Sequence, residues 1–324
     1  VEYLLAITNL LGGLLFLAYF GDRLVHWASN VALRLKVSPL FIGITVVAAG
    51  TSIPELFFCV NAQLAGSSDL AIGNIVGSNL FNIGVVLGLV LMWRRRSHVQ
   101  GGTLEVSILI MATLALVVYL HLNQGLDGFS ILTRNTGIFL VIGFVILIIF
   151  SYKNERKRSA TLSEIDEMTL DESSLKLTSW LILATAGLWI GGKILVEGAV
   201  SLASLLDIQE TAFGLTVIAA GTGAPELWVS IAAIRRGSAS IAIGNVVGSN
   251  LFNTIAVVGA AAIVSPLKVN YDDLQVDIWV MVGLTFFTIG LLRTKSPRLQ
   301  KLLGFFLLAS YVLWLLVHLL IENH

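Results

Sequence analysis

Two glutamates stand at matching places in two long apolar runs, Glu55 in FIGITVVAAGTSIPELFF and Glu226 in FGLTVIAAGTGAPELWVS. A carboxylate at mid-membrane depth costs on the order of several kcal/mol, so it needs a partner or a job. Lys193 is the one basic residue well inside an apolar run, so ion binding outweighs a simple Glu–Lys pair. Proline has no amide hydrogen and disrupts the preceding helical turn, and glycine loosens it. Pro54 with Gly50, and Pro225 with Gly221, are therefore expected to break each helix around Gly-Thr, freeing carbonyls at 47–51 and 218–222. Thr51, Ser52 and Thr222 add hydroxyl oxygens. The following runs bring Asn74, Ser78, Asn79 and Asn82, and Asn245, Ser249, Asn250 and Asn253. Ser78 with Asn82, and Ser249 with Asn253, are spaced i, i+4 and share a helical face. Gly73 and Gly77, like Gly244 and Gly248, follow the small-xxx-small pattern of closely packed membrane helices.

Carboxylates, carbonyls, hydroxyls and amides make an all-oxygen site. Neither block places histidine or cysteine at a ligand position, which argues against zinc, copper or iron. Calcium or sodium fits, and magnesium fits less well because it dehydrates reluctantly. Two glutamates carry a charge of about −2, enough for one Ca²⁺ or two Na⁺ in a place that tolerates little net charge. Competition of two ions for shared ligands is a physical basis for exchange.

The elements that must position these residues are membrane helices. Of 324 residues, 56% are hydrophobic and 12% charged, against about 25% charged in soluble domains. That excludes a soluble enzyme, and a net charge of zero excludes a nucleic-acid binder, which would be basic. Runs of about 20 apolar residues predict ten spans near 3–22, 38–64, 70–92, 103–120, 129–150, 178–203, 211–234, 239–264, 277–292 and 300–320. No small-residue cleavage site follows the first, so it reads as a span and not a signal. Placing alternate loops on one side gathers 17 of the 20 basic residues there, with Arg134, Lys193 and Lys268 the exceptions. The positive-inside rule then puts both termini outside and 151–177 in the cytoplasm as a solvated linker. Trp93, Trp180, Trp279 and Trp314 lie near span ends as interface anchors. Asp22, which is the repeat counterpart of Lys193, and Lys193 itself read as interfacial snorkelling side chains. The single cysteine, Cys59, forms no intrachain disulfide.

Residues 42–82 align with 213–253 at a constant offset of 171, with 24 of 41 positions identical. The offset covers five spans, an odd number, so the second copy crosses the membrane in the opposite sense. The expected fold is an all-α polytopic membrane protein of ten transmembrane helices in two inverted-topology five-helix repeats. The first occupies 1–150, the linker 151–177 and the second 178–324. Such transporters hold their substrate at the midplane where the copies meet, and alternate its access to either side.

GTSIPE with GNIVGSNLFN, and GTGAPE with GNVVGSNLFN, resemble the paired motifs of the calcium/cation antiporter superfamily, most closely its sodium/calcium exchanger branch. The resemblance implies a secondary antiporter exchanging Ca²⁺ for Na⁺ without a cofactor, in a minimal prokaryotic-type member of a cell (inner) membrane. It implies a Ca²⁺ site at Glu55 and Glu226 with Thr51 and Thr222. Flanking Na⁺ sites would draw on Ala48, Ser52, Ser78, Asn82, Ala219 and Ser249, and spans one and six would slide across the core. Two positions depart from the family's pattern: Gly223 stands where a serine is common, and Asn253 where an acidic residue is. Both bear on the sodium sites and leave H⁺ or K⁺ open as coupling ion. No obligatory protein partner is evident. A cation channel is the distant alternative, disfavoured because the two-fold lies inside one chain. An intramembrane enzyme lacks any motif.

Overall fold

The computed structural model describes residues 2–93, 103–126, 128–162, 173–205, 221–294 and 296–322. In chain order the helices are α1 (Glu2–Leu35), α2 (Pro39–Thr51) and α3 (Ile53–Leu64), α4 (Ser68–Trp93) and α5 (Thr103–Leu122). Then come α6 (Arg134–Leu162), α7 (Ser174–Leu205), α8 (Ala224–Arg235), α9 (Ala239–Val264), α10 (Tyr271–Arg293) and α11 (Pro297–Glu322). Among the described residues seven helices are long and apolar enough to cross a membrane, and α2 with α3, bent by 45°, make an eighth span. The other two of the ten are α8, whose preceding run 211–220 lies outside the described residues, and α10, which carries three aspartates in its first two turns.

Helix ends depart from the expected spans for identifiable reasons. α1 continues past residue 22 because Leu24, Val25, Trp27, Ala28 and Ala32 keep one buried stripe at helical spacing. The predicted span 129–150 starts late, at Arg134, because Phe129–Leu132 forms a strand, β1, that pairs antiparallel with β2 (Leu267–Asn270). This ribbon is the one addition to an otherwise helical fold among the described residues. Leu132, Leu267 and Val269 are buried in it, and Lys268 Nζ lies 3.7 Å from the centroid of the Phe129 ring. At the other end α6 runs to Leu162, so the expected linker 151–177 is helical to 162 and again from 174. Its middle, 163–172, lies outside the described residues.

Long-range contacts sort the loops into the same two groups as the basic residues do. β1 and β2 join the loops after α5 and after α9. Gln63 Nε2 donates to the Ser265 carbonyl at 3.0 Å at the same end. At the opposite end the Ser38 amide donates to Glu155 Oε1 at 3.2 Å, and Asp22 meets Arg236.

The centre is built from α4 and α9, whose most apolar windows are 78% and 72% buried, whereas that of α6 is 6% buried and lies on the outside of the bundle. Apolar side chains gain little from leaving lipid for protein, so close backbone approach between small residues must hold the helices. A Cβ on Gly244 of α9 would stand 2.5 Å from the Leu40 carbonyl of α2, and one on Gly43 would stand 2.7 Å from the Ile241 carbonyl. α1 and α7 run antiparallel along each other, with Gly13 against Leu195, Gly191 against Phe16, and the rings of Trp27 and Trp180 stacked at 5.6 Å.

Candidate cation-binding site

The bend between α2 and α3 falls at one residue. Ser52 sits at φ −91°, ψ 8° between α2 and α3, and its repeat counterpart Gly223 at φ −81°, ψ −4° before α8. The breaks fall one or two residues later than the expected Gly-Thr because proline tolerates the first turn of the new helix. With no amide at Pro54, Gly50 has no donor four residues ahead. Ala48, by contrast, is not freed: its carbonyl accepts the Ser52 amide at 2.9 Å. Glu55 and Glu226 both land in the first turn of the new helix, where the helix dipole favours negative charge.

The site residues lie across the interface between repeats. Glu55 and Glu226 are fully buried. Glu226 Oε1 accepts from the Ser52 hydroxyl at 3.0 Å and from Ser249 at 3.3 Å. Among the described residues, neither Glu55 oxygen nor Glu226 Oε2 has a hydrogen-bond partner. Thr51 Oγ1 lies 3.3 Å from Ser249 Oγ, and in the mirrored position Ser78 Oγ lies 3.4 Å from Thr222 Oγ1. Asn82 and Asn253 are fully buried with both amide atoms unpartnered among the described residues. They stand in π-helical turns, Asn82–Leu87 and Phe252–Val257, which recur at functional sites because they reposition side chains. Partnerless polar atoms this deep are costly unless something polar meets them.

Of the sequence-derived ligands, Thr51, Ser52, Ser249 and Glu226 form one connected cluster, and Ser78 with Thr222 a second. Ala48 is buried beside the first, and Ala219 lies outside the described residues. Lys193 does not neutralise either glutamate: its amine pairs with Glu197 on its own helix at 3.8 Å, with both side chains more than half exposed. Asn79 and Asn250 point to helix contacts instead. Asn79 Nδ2 donates to Thr254 Oγ1 at 3.0 Å, and Asn250 Nδ2 to the Asn79 carbonyl at 3.1 Å. Asp22, expected to snorkel, is held by Arg236 through two bonds. Trp314, expected as an interface anchor, donates to Asp277 Oδ1 at 2.7 Å. Sequence reasoning gave no role to Ser230, which accepts from Asn245 Nδ2 at 3.1 Å. Its spacing of four from Glu226 on one helix was the available signal.

Two inverted five-helix repeats, broken helices and a buried pair of carboxylates at their junction define a secondary transporter of cations. The chain belongs to the sodium/calcium exchanger protein family, whose model matches residues 5–153 and 176–320. It is 34% identical over 321 residues to Inner membrane protein YrbG of Escherichia coli (strain K12), covering 96% of each chain. It is 30% identical to Sodium/calcium exchanger MaX1 of Methanosarcina acetivorans, covering 95% of this chain and 97% of that one. A solved structure of the sodium-calcium exchanger NCX_Mj, soaked with 10 mM Na⁺ and zero Ca²⁺, superposes with a TM-score of 0.80 at 27% identity, covering 96% of this chain and 98% of that chain. The family is one of exchangers, not enzymes.

Proposed function

We propose that this chain exchanges Ca²⁺ against Na⁺ by alternating access, at an all-oxygen site centred on Glu55 and Glu226. The observation that carries the reading is the pair of fully buried, repeat-related carboxylates, one of them with neither oxygen hydrogen-bonded among the described residues. Two carboxylates in a low-dielectric setting demand about two positive charges, which one Ca²⁺ or two Na⁺ supply. Thr51, Thr222, Ser52, Ser78, Ser249, Asn82, Asn253 and the carbonyls of Ala48 and Ala219 complete the ligand set. The exchangers MaX1 and NCX_Mj, named for the same two ions, support it. The chain sits in a prokaryotic cell membrane with both termini outside and the stretch 151–177 in the cytoplasm.

The test is Ca²⁺ uptake into proteoliposomes. An outward Na⁺ gradient should drive it, and choline in place of Na⁺ should abolish it. Equal uptake in choline with a pH gradient would overturn Na⁺ coupling in favour of H⁺. A K⁺ requirement would assign K⁺ as co-substrate. Gly223 and Asn253 favour testing these rivals, since each removes an oxygen or a charge from the site.

A further inference from the structure

Asn245 on α9 is fully buried, and every polar atom of its side chain is engaged. Its Nδ2 donates to the Glu226 carbonyl at 3.2 Å and to Ser230 Oγ at 3.1 Å. Those two bonds use both amide hydrogens and fix which end of the amide faces the opposite repeat. The end that remains is Oδ1, 3.1 Å from Thr51 Oγ1. An amide oxygen only accepts, so the Thr51 hydroxyl must donate. A hydroxyl has one proton, and a rival acceptor is close: the Ala48 carbonyl lies 3.2 Å from Thr51 Oγ1. That carbonyl already accepts the Ser52 amide, so the threonine proton would occupy its second lone pair.

We infer that Asn245 is a positioning residue that draws the Thr51 proton out of the ion site. With the proton committed to Asn245, the lone pairs of Thr51 and the second lone pair of Ala48 are left for a cation. Without Asn245 the proton turns to the Ala48 carbonyl at 3.2 Å or to Ser249 Oγ at 3.3 Å, and either movement blocks an oxygen of the site and misdirects the Thr51 hydroxyl. The constraint spans the repeats, since Thr51 and Asn245 are 194 residues apart. The inference rests on the reading above that Thr51 and Ala48 supply cation ligands. Its counterpart in the other copy is looser. Asn74 accepts from Thr222 at 3.5 Å, and its Nδ2 reaches the Cys59 sulfur, which stands where the second copy has Ser230, at 3.4 Å.

The experiment is equilibrium ⁴⁵Ca²⁺ binding to the purified full chain in detergent, with wild type, Asn245→Ala, Thr51→Val, the double variant and Ser230→Ala. Loss of one hydrogen bond of this kind predicts about five- to tenfold weaker Ca²⁺ binding in Asn245→Ala. In the Thr51→Val background, where there is no proton to hold, adding Asn245→Ala should change affinity by less than about twofold. Ser230→Ala, which loosens only the amide, should weaken binding less than Asn245→Ala. An equal loss in both backgrounds, or unchanged affinity with only a lowered melting temperature, would make Asn245 merely structural and overturn the inference. If Asn245→Ala is not monodisperse, the same cycle between Ser230→Ala and Thr51→Val decides, by coupling or by additivity. Ca²⁺ binding that survives Glu226→Gln would overturn the site reading itself, whatever Asn245 does.

Discussion

Ser52 donates to Glu226 across the interface between repeats at 3.0 Å, and Gly223, its counterpart, has no hydroxyl to return the bond to Glu55. The two carboxylates are equivalent by repeat and different by environment. Gly223 has φ −81°, a conformation open to any residue, so backbone geometry does not demand glycine there. Gly223→Ser should therefore keep the helix break in place, and its hydroxyl should change how ions bind at Glu55. Na⁺ competition against ⁴⁵Ca²⁺ and the reversal potential in liposomes would register the change. The converse variant, Ser52→Ala, removes a hydrogen bond to a charged group worth about 1.5–3 kcal/mol and should weaken ion binding while leaving the helix break in place.

Glu55→Gln and Glu226→Gln should each abolish exchange while preserving the fold. The reason is charge: one remaining carboxylate cannot balance a divalent ion at this depth. Thermal unfolding reads binding directly, because a ligand at about 100 times its Kd stabilises the folded state by about 2.7 kcal/mol. Wild type should gain stability on adding Ca²⁺ and either glutamine variant should gain none. A glutamine variant that still exchanges Ca²⁺ would refute the site.

Asp22 near the middle of α1 binds Arg236 at the end of α8 through Nε at 2.6 Å and Nη2 at 2.5 Å. Their repeat counterparts are Lys193 and Ala65, which cannot pair, so this latch exists on one side of the membrane only. It borders a cleft of about 350 Å³ between α1 and α8, lined also by Ala18, Trp228 and Ala232. The pair is partly exposed, with side chains 37% and 47% accessible, so its worth is about 0.2–1 kcal/mol after screening. Arg236→Ala should therefore raise accessibility on this side by up to about fivefold. Thiol labelling of Ala18→Cys measures it, since the native Cys59 is buried. The charge-reversed pair Asp22→Arg with Arg236→Asp should restore the wild-type rate, and high salt should erase the difference.

Gly244 and Gly248 lie where α9 crosses α2, and an added Cβ at Gly248 would overlap the Ile44 carbonyl. Backbone cannot yield as a flexible side chain can. Gly244→Ala should cost about 1–3 kcal/mol by overpacking and lower the melting temperature in detergent. Gly73→Ala, at the counterpart of Gly244, should cost less, because no described atom lies within 4 Å of the place its Cβ would take.

Span count, inverted duplication and the two glutamates were legible in one dimension because each leaves a local mark. Apolar runs have the length of a bilayer, the copies keep a constant offset, and Glu55 and Glu226 stand alone among aliphatic neighbours. The helix breaks were legible to within two residues, because proline removes an amide at a known place. The β1–β2 ribbon was not, since Phe129–Leu132 reads as apolar and only its partner across the fold makes it a strand. Nor was the division of the six asparagines into those left unpartnered at the repeat junction, Asn82 and Asn253, and those engaged in hydrogen bonds between helices. Asn74, Asn79 and Asn82 share one short run, and their roles depend on what the other repeat presents to them.

The sequence by itself therefore determined a membrane-embedded pair of inverted repeats with one carboxylate in each. Hydrophobicity, periodicity and proline act over a few residues and are written in order along the chain. Only the tertiary structure decided how the pair differs. Glu226 is held by Ser52 and Ser249, the Glu55 carboxylate has no hydrogen-bond partner among the described residues, and the half-exposed Asp22 pairs with Arg236. Bonds between residues up to 214 positions apart arise from the antiparallel meeting of two repeats, and no local pattern encodes which side chain will stand opposite which.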